Sequence, residues 1–221
     1  FKNEEIIAWY LDGKYINELS AHWQKIIRFI FDIQNDYNGQ LTSKTISKNN
    51  KADIFIELHN KGKKNISIKE GGGNSVHQEN INTFLSFLEK YNLGDELKKY
   101  IYYFLYKDGT INNTGNNRLD GRSFYKEHPE IVQELHTLFN SMPLKRDLIE
   151  RFLFTGKDAT IIPADFIYHG TVEDGVIASK EEIINKLVNI EEESKGPIKI
   201  GNLTYQTWNA NLEKKEAYED R

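Results

Sequence analysis

The stretch "ADIFIELHNKGKKNISIKEGGGNSVHQE", residues 52–79, decides how the rest of the chain is read. Apolar and polar residues alternate through "ADIFIEL" (52–58) and again through "NISIKE" (65–70), which predicts two strands. The "HNKGKK" between them has the Asn and Gly of a hairpin loop. Because one strand opens on Asp53 and the other closes on Lys69, an antiparallel pairing brings an acid and a base to the same end of the sheet. Three glycines follow directly behind the lysine. Ser75 and Gln78 then have the spacing of a capping box, and Ile81, Phe84, Leu85 and Leu88 predict a helix that stops near Asn92-Leu93-Gly94.

Working outward, Ile16, Leu19, Trp23, Ile26, Ile27, Ile30 and Ile33 recur every three or four residues and predict one amphipathic helix over 15–33. A shorter helix near Glu4–Leu11 precedes it and ends by Gly13. "QLTSKTIS" (40–47) predicts a weak strand, and "YIYYFLYK" (100–107) a further strand after a short polar helix. The order is helix, three strands, helix, strand. It implies an α/β (α+β) core with a mixed sheet and excludes a pure sandwich or bundle. Beyond it lie the Asn/Gly loop "DGTINNTGNNRLDGR" (108–122), helices near 123–139 and 143–154, a strand-like "ATIIPADFIYHG" (159–170), a helix near 179–189, and a hairpin turning at Gly201-Asn202. The expected organisation is a core over 1–107 and a helical and hairpin C-terminal extension over 108–221 packed on it, within one compact domain.

Composition narrows the function. The 221 residues are 38% hydrophobic and 12% aromatic, enough for a core without covalent staples. With no cysteine, disulfides, thiolate metal sites and cysteine nucleophiles are excluded, and a reducing compartment is expected. There is no long apolar run, and "FKNEEIIAWYL" carries acids where a signal peptide carries bases; a soluble cytoplasmic protein without a membrane partner is expected. The start at Phe1, with Met142 the sole methionine, is what a trimmed natural chain would show. Lys and Arg number 29 against 33 Asp and Glu, a net charge of −4, so a polyanion would have to meet a local surface. His22 and His169 lack zinc spacing, and His77 reads as a packing residue.

An αβββαβ core with Asp on one strand, Lys at the end of the next and a helix behind resembles the PD-(D/E)XK nuclease superfamily, which includes many type II restriction endonucleases and several DNA-repair nucleases. The resemblance covers about residues 15–107. It implies a Mg²⁺-dependent endonuclease acting on duplex DNA, of the sequence-specific restriction type; the sequence leaves the oligomeric state open, a homodimer being one option. It makes Asp53 the metal aspartate and Lys69 the lysine that orients the attacking water and steadies the phosphate. The chemistry agrees independently. Phosphodiester hydrolysis needs a more acidic water and positive charge near the phosphoryl oxygens, which a carboxylate-held cation and an ammonium supply.

Position 67, on the same strand face as Lys69, is Ser where the family has an acid. Ser67 is expected to line the site and the Ile68 carbonyl to serve as a metal ligand. Glu57 shares a face with Asp53 but lies roughly 13 Å along the strand, too far to share a metal. Glu79, expected one turn into the following helix, is similar to a restriction-endonuclease variant in which the acid has moved there and left Ser-x-Lys behind. Glu79 is the first choice for the second acid, Glu70 at the glycine bend the second, and Glu18 the third. Arg118 and Arg122, with Asn116 and Asn117 in the same loop, carry the side chains that read guanine and adenine edges, and Gln206, beside Tyr205, Trp208 and Asn209, is the next such site. Two other readings remain: a repair or junction-resolving nuclease, and a non-catalytic nucleic-acid-binding module whose acidic set has decayed, to which Ser67 lends support.

Overall fold

The computed structural model describes residues 2–191, 193, 196–208 and 212. The elements in chain order are α1 (Asn3–Leu11), a 3-10 turn (Ile16–Glu18), α2 (Ala21–Phe31), β1 (Leu41–Thr45), β2 (Ile54–Leu58), β3 (Gly62–Lys69), β4 (Ser75–His77) and α3 (Ile81–Leu88). They continue with α4 (Asp95–Tyr106), α5 (Gly121–Glu127), α6 (Pro129–Asn140), α7 (Leu144–Glu150), a π-helical turn (Arg151–Thr155), β5 (Phe166–Gly170), β6 (Gly175–Ser179), α8 (Lys180–Val188), β7 (Lys199–Ile200) and β8 (Leu203–Gln206). Two compact units form, each from separate stretches of sequence: Phe1–Gly73 with Leu153–Asn185, and Asn74–Phe152 with Lys186–Arg221.

The first unit holds a mixed five-stranded sheet in the order β1-β2-β3-β5-β6. All its pairings are antiparallel except β3 with β5, which run parallel with Lys69 opposite His169. The hairpin expected between 58 and 65 closes at Leu58↔Gly62, with Asn60 and Gly62 at φ 60° and 94°, a region Asn tolerates and Gly adopts without steric cost. Alternation sends Ile54, Ile56 and Leu58 into a core with Ile7, Leu11, Trp23, Ile27, Ile66 and Tyr168. Each such side chain contributes about 1.5–3 kcal/mol of apolar transfer. The helix expected over 15–33 is two pieces. Glu18 accepts the Tyr15 N–H at 2.7 Å and closes the 3-10 turn, and Ser20, in an extended conformation, caps a fresh helix by accepting from the Trp23 N–H. Asp32 ends α2 in the left-handed region.

The second unit packs α3, α4, α5 and α6 with the small sheet β4-β8-β7, in which β4 and β8 are parallel. At its centre Tyr205, 1% exposed, is surrounded by Phe84, Phe104, Phe139 and Phe152 with ring centroids 4.9–6.1 Å away. Its hydroxyl donates to Gln78 Oε1, and burial, with the charge of Glu79, holds its pKa well above the ordinary tyrosine value.

Two sequence expectations are overturned in this unit. Residues 100–107 are not a strand: Tyr100–Tyr106 belongs to α4, whose buried residues Ile101, Phe104 and Leu105 follow helical spacing and whose first turn carries Asp95 and Glu96 at the positive end of the helix dipole. The β-propensity of Tyr and Ile gives way to that amphipathic pattern. The strand that completes the sheet beside β3 is β5, about a hundred residues further on. Ser75–Gln78 is likewise not a capping box, because Ser75–His77 pairs with Thr204–Gln206, and α3 is capped instead by Asn80, which accepts the Asn82 N–H. Among the described residues no helix is long and apolar enough to cross a membrane.

Candidate active site

The site is built where β2 begins and β3 ends. The β2–β3 register pairs Ile54 with Ile66, so one step further Asp53 stands beside Ser67. Asp53 Oδ2 accepts the Ile68 N–H at 2.7 Å and the Ser67 hydroxyl at 3.1 Å, and Lys69 Nζ lies 3.6 Å from the same oxygen. These partners turn the Asp53 carboxylate along the strand end and fix it there. With Oδ2 taking all three, Oδ1 is the oxygen left to meet a ligand, on a side chain 33% exposed, and the Lys69 side chain is 51% exposed. Ser67 is 1% exposed and spends its hydroxyl on Asp53.

Such a carboxylate fits a hard divalent cation. Mg²⁺ is commonly held by one or two carboxylates together with substrate phosphates and waters, and Asp53 meets the lower of these numbers. Among the described residues no group of three or more His, Asp or Glu side chains could hold a metal ion, so this is not the closed ligand set of a structural zinc.

The other expected residues fall in different places. Glu70 is exposed, directly after Lys69, and Gly71 follows at φ 77°, with its carbonyl 2.6 Å from His169 Nε2. Glu57 is exposed opposite Thr42 and Lys63, well along β2 from Asp53. Glu79 is not a helical residue: it lies between β4 and α3 in the second unit, where it accepts from Arg151 Nε at 2.7 Å and from Arg151 Nη2. Arg151 also lies over the Phe87 ring at 4.4 Å, and both partners of this ion pair are poorly exposed, at 14% and 11%.

In the Asn-rich loop, Arg118 donates from Nε to the Tyr106 carbonyl at 2.8 Å and from Nη2 to Asn113 Oδ1 at 2.9 Å, fastening the loop to the end of α4. Beside it Lys107, the left-handed cap of α4, has its pKa pushed down to about 8 by burial and, secondarily, by the Arg118 charge. Asn116, Asn117 and Arg122 are exposed. Gln206 is exposed on β8 and donates to Ser75 Oγ at 3.2 Å, and Trp208 is 41% exposed; Asn209 lies outside the described residues.

Sequence reasoning missed His169 and Arg151. Each meets its partner across 98 and 72 residues respectively, and no local pattern signals either contact.

No protein-family model matches this chain, and no curated protein matches it in sequence. Among solved structures it is similar to restriction endonuclease MspI, determined in complex with its cognate DNA, with a TM-score of 0.56 over 88% of this chain and 79% of that one. Sequence identity is 15%, so the likeness speaks for the fold. The mixed sheet with its flanking helices is therefore a restriction-endonuclease-like fold, as the order of elements around Asp53 and Lys69 implied.

Proposed function

We propose that the protein is a metal-dependent endonuclease that hydrolyses phosphodiester bonds of duplex DNA, of the sequence-specific restriction type. The observation that carries this reading is the Asp53–Ser67–Lys69 cluster: a carboxylate fixed by an amide and a hydroxyl, with an ammonium 3.6 Å away, at one end of a restriction-endonuclease-like sheet. Asp53 would hold Mg²⁺, with the Ile68 carbonyl as a further ligand and Glu70, in the same unit, as the second acid. The ion, when bound, supplies a more acidic water and positive charge beside the phosphate. Lys69 offers N–H donors to a phosphoryl oxygen or to the attacking water, and its charge opposes the negative charge that grows as that water attacks. Ser67 keeps Asp53 in one rotamer. Cutting both strands requires two such sites or two successive binding events, so either a second copy of this chain on the DNA or a second visit by the same one belongs to the proposal.

One observation favours a second reading. Ser67 fills the usual acid position and is buried against Asp53, as it would be in a DNA-binding module that no longer cuts.

The test is incubation of the full chain with mixed-sequence duplex DNA, with and without Mg²⁺, followed by sequencing of any ends. Mg²⁺-dependent ends at a recurrent sequence are expected. Asp53→Asn, nearly isosteric, should abolish them while leaving thermal unfolding in place, and Glu70→Gln should sharply lower the yield of ends if Glu70 is the second acid. Metal-independent ends, or full activity in folded Asp53→Asn, would remove the assignment. Retention of the DNA without cleavage would favour the binding module.

A further inference from the structure

We infer that the outward face of the small sheet β4-β8-β7 is a base-reading surface that enters the major groove of duplex DNA, with Gln206 and His77 as its specificity-determining residues. The inference rests on the nuclease reading and adds to it where sequence discrimination resides.

The sheet has two chemically distinct faces. The register pairs Ser75 with Thr204, Val76 with Tyr205 and His77 with Gln206 across β4 and β8, and Lys199 with Thr204 across β7 and β8. Alternation therefore puts Val76, Ile200, Leu203 and Tyr205 on the buried side and Ser75, His77, Lys199, Thr204 and Gln206 on the other. Every side chain on that outer face is a hydrogen-bonding group, and none is a carboxylate. In a chain with 33 acidic residues and a net charge of −4, a face that carries a lysine and no carboxylate sets no local negative charge against a polyanion.

Short cross-strand bonds hold the face in place. Gln206 Nε2 donates to Ser75 Oγ at 3.2 Å, and Lys199 Nζ donates to Thr204 Oγ1 at 2.8 Å. After its bond to Ser75, Gln206 still offers its Oε1 and one N–H, the acceptor and donor that match N6 and N7 of adenine. His77 can give an N–H to guanine N7 or O6, and Lys199 can reach guanine or a phosphate. The amide of Gln206 and the imidazole of His77 are the side chains of this face that match purine edges, adenine for the first and guanine for the second. Its size also suits the task. His77 and Gln206 lie opposite each other on the β4–β8 pair, and a two-stranded ribbon is what a major groove about 12 Å wide admits. By contrast, Arg118 already spends two donors on Tyr106 and Asn113.

The experiment is site selection from a randomised duplex library by the full chain in Ca²⁺, with wild type, Gln206→Ala, Gln206→Glu and His77→Ala, each checked for wild-type thermal unfolding. Both residues are exposed, so the substitutions leave the core alone. The expected result is a wild-type site containing A·T and G·C positions whose purine preference falls roughly five- to a hundred-fold, at A in Gln206→Ala and at G in His77→Ala. Affinity for non-selected duplex should stay within about threefold, since phosphate contacts dominate that term. Gln206→Glu should move its position from A towards C, because a carboxylate accepts from cytosine N4. If the three variants select the wild-type site with wild-type strength, the inference is overturned while the nuclease reading stands. If the wild type neither binds nor cuts duplex DNA, the nuclease reading fails and this inference with it.

Discussion

The chemistry of the candidate site turns on how many negative charges it holds. Asp53 is the carboxylate paired with Lys69, and the neighbouring Ser67 is a buried hydroxyl that donates to it. A carboxylate at position 67 would repel Asp53 unless a cation lay between them. Ser67→Asp should therefore lower stability in EDTA by on the order of 2 kcal/mol, since two carboxylates a few ångströms apart repel until one takes up a proton. Mg²⁺ should then raise the melting temperature of the variant more than that of the wild type, saturably, because an ion that binds only the folded state stabilises it. Thermal unfolding across a Mg²⁺ series measures this without relying on activity. Identical responses in the two proteins would mean that no cation binds between positions 53 and 67.

Behind Lys69 the chain must leave β3, and Gly71 to Gly73 carry it out. The three glycines are not equivalent. Gly71 is at φ 77° with open space around its Cβ direction, and its carbonyl is held by His169, the register partner of Lys69. Gly72 and Gly73 also have open space but ordinary φ. Gly71→Ala should cost about 1 kcal/mol, the left-handed penalty of an L-residue less what it gains by restricting the unfolded chain. Gly72→Ala and Gly73→Ala should be neutral or stabilising by a few tenths of a kcal/mol up to about 1 kcal/mol. Denaturant titration of the three variants checks the sign reversal, and equal effects at all three positions would show that the bend is not set by Gly71.

Neither compact unit is one continuous stretch of the chain. β5 and β6, which complete the sheet beside β3, come from residues 166–179, and the second unit draws on 74–152 and again on the chain after 186. A chain ended at residue 107 would keep Asp53, Ser67 and Lys69 but lose the strand that pairs with Ile66–Lys69, along with Tyr168, which lies buried against Trp23 at 4.9 Å between ring centroids. An exposed β3 edge and a missing aromatic of that size exceed the few kcal/mol a domain has in reserve. The 1–107 fragment is expected to lack a cooperative unfolding transition by circular dichroism, whereas 1–107 mixed with 108–221 should recover one. A cooperative transition in the isolated fragment would support a self-sufficient core over 1–107.

Local rules carried the reading of this chain a long way. Period-two alternation and the Asn/Gly loop are short-range signals, and they placed β2, β3, their hairpin and the meeting of Asp53 with Lys69, because an antiparallel pair with a short turn has little freedom of register. The apolar spacing within α2 and α3 was equally plain, though it did not show the break before Ala21. What failed was pairing over long separations. Ser75–His77 looks like a helix start until Thr204–Gln206 lies beside it, and Phe166–Gly170 gives no sign of which strand it will join. The aromatic run in α4 has strong β-propensity, and it took the burial of Ile101, Phe104 and Leu105 on one side to make it helical. Strand parity already put Ser67 and Lys69 on one face, whereas the Arg151 partner of Glu79 in the second unit and the His169 grip on Gly71 in the first exist only because folding brings together residues far apart in sequence. Such contacts are selected by the burial of whole elements, and no window of neighbouring residues encodes them.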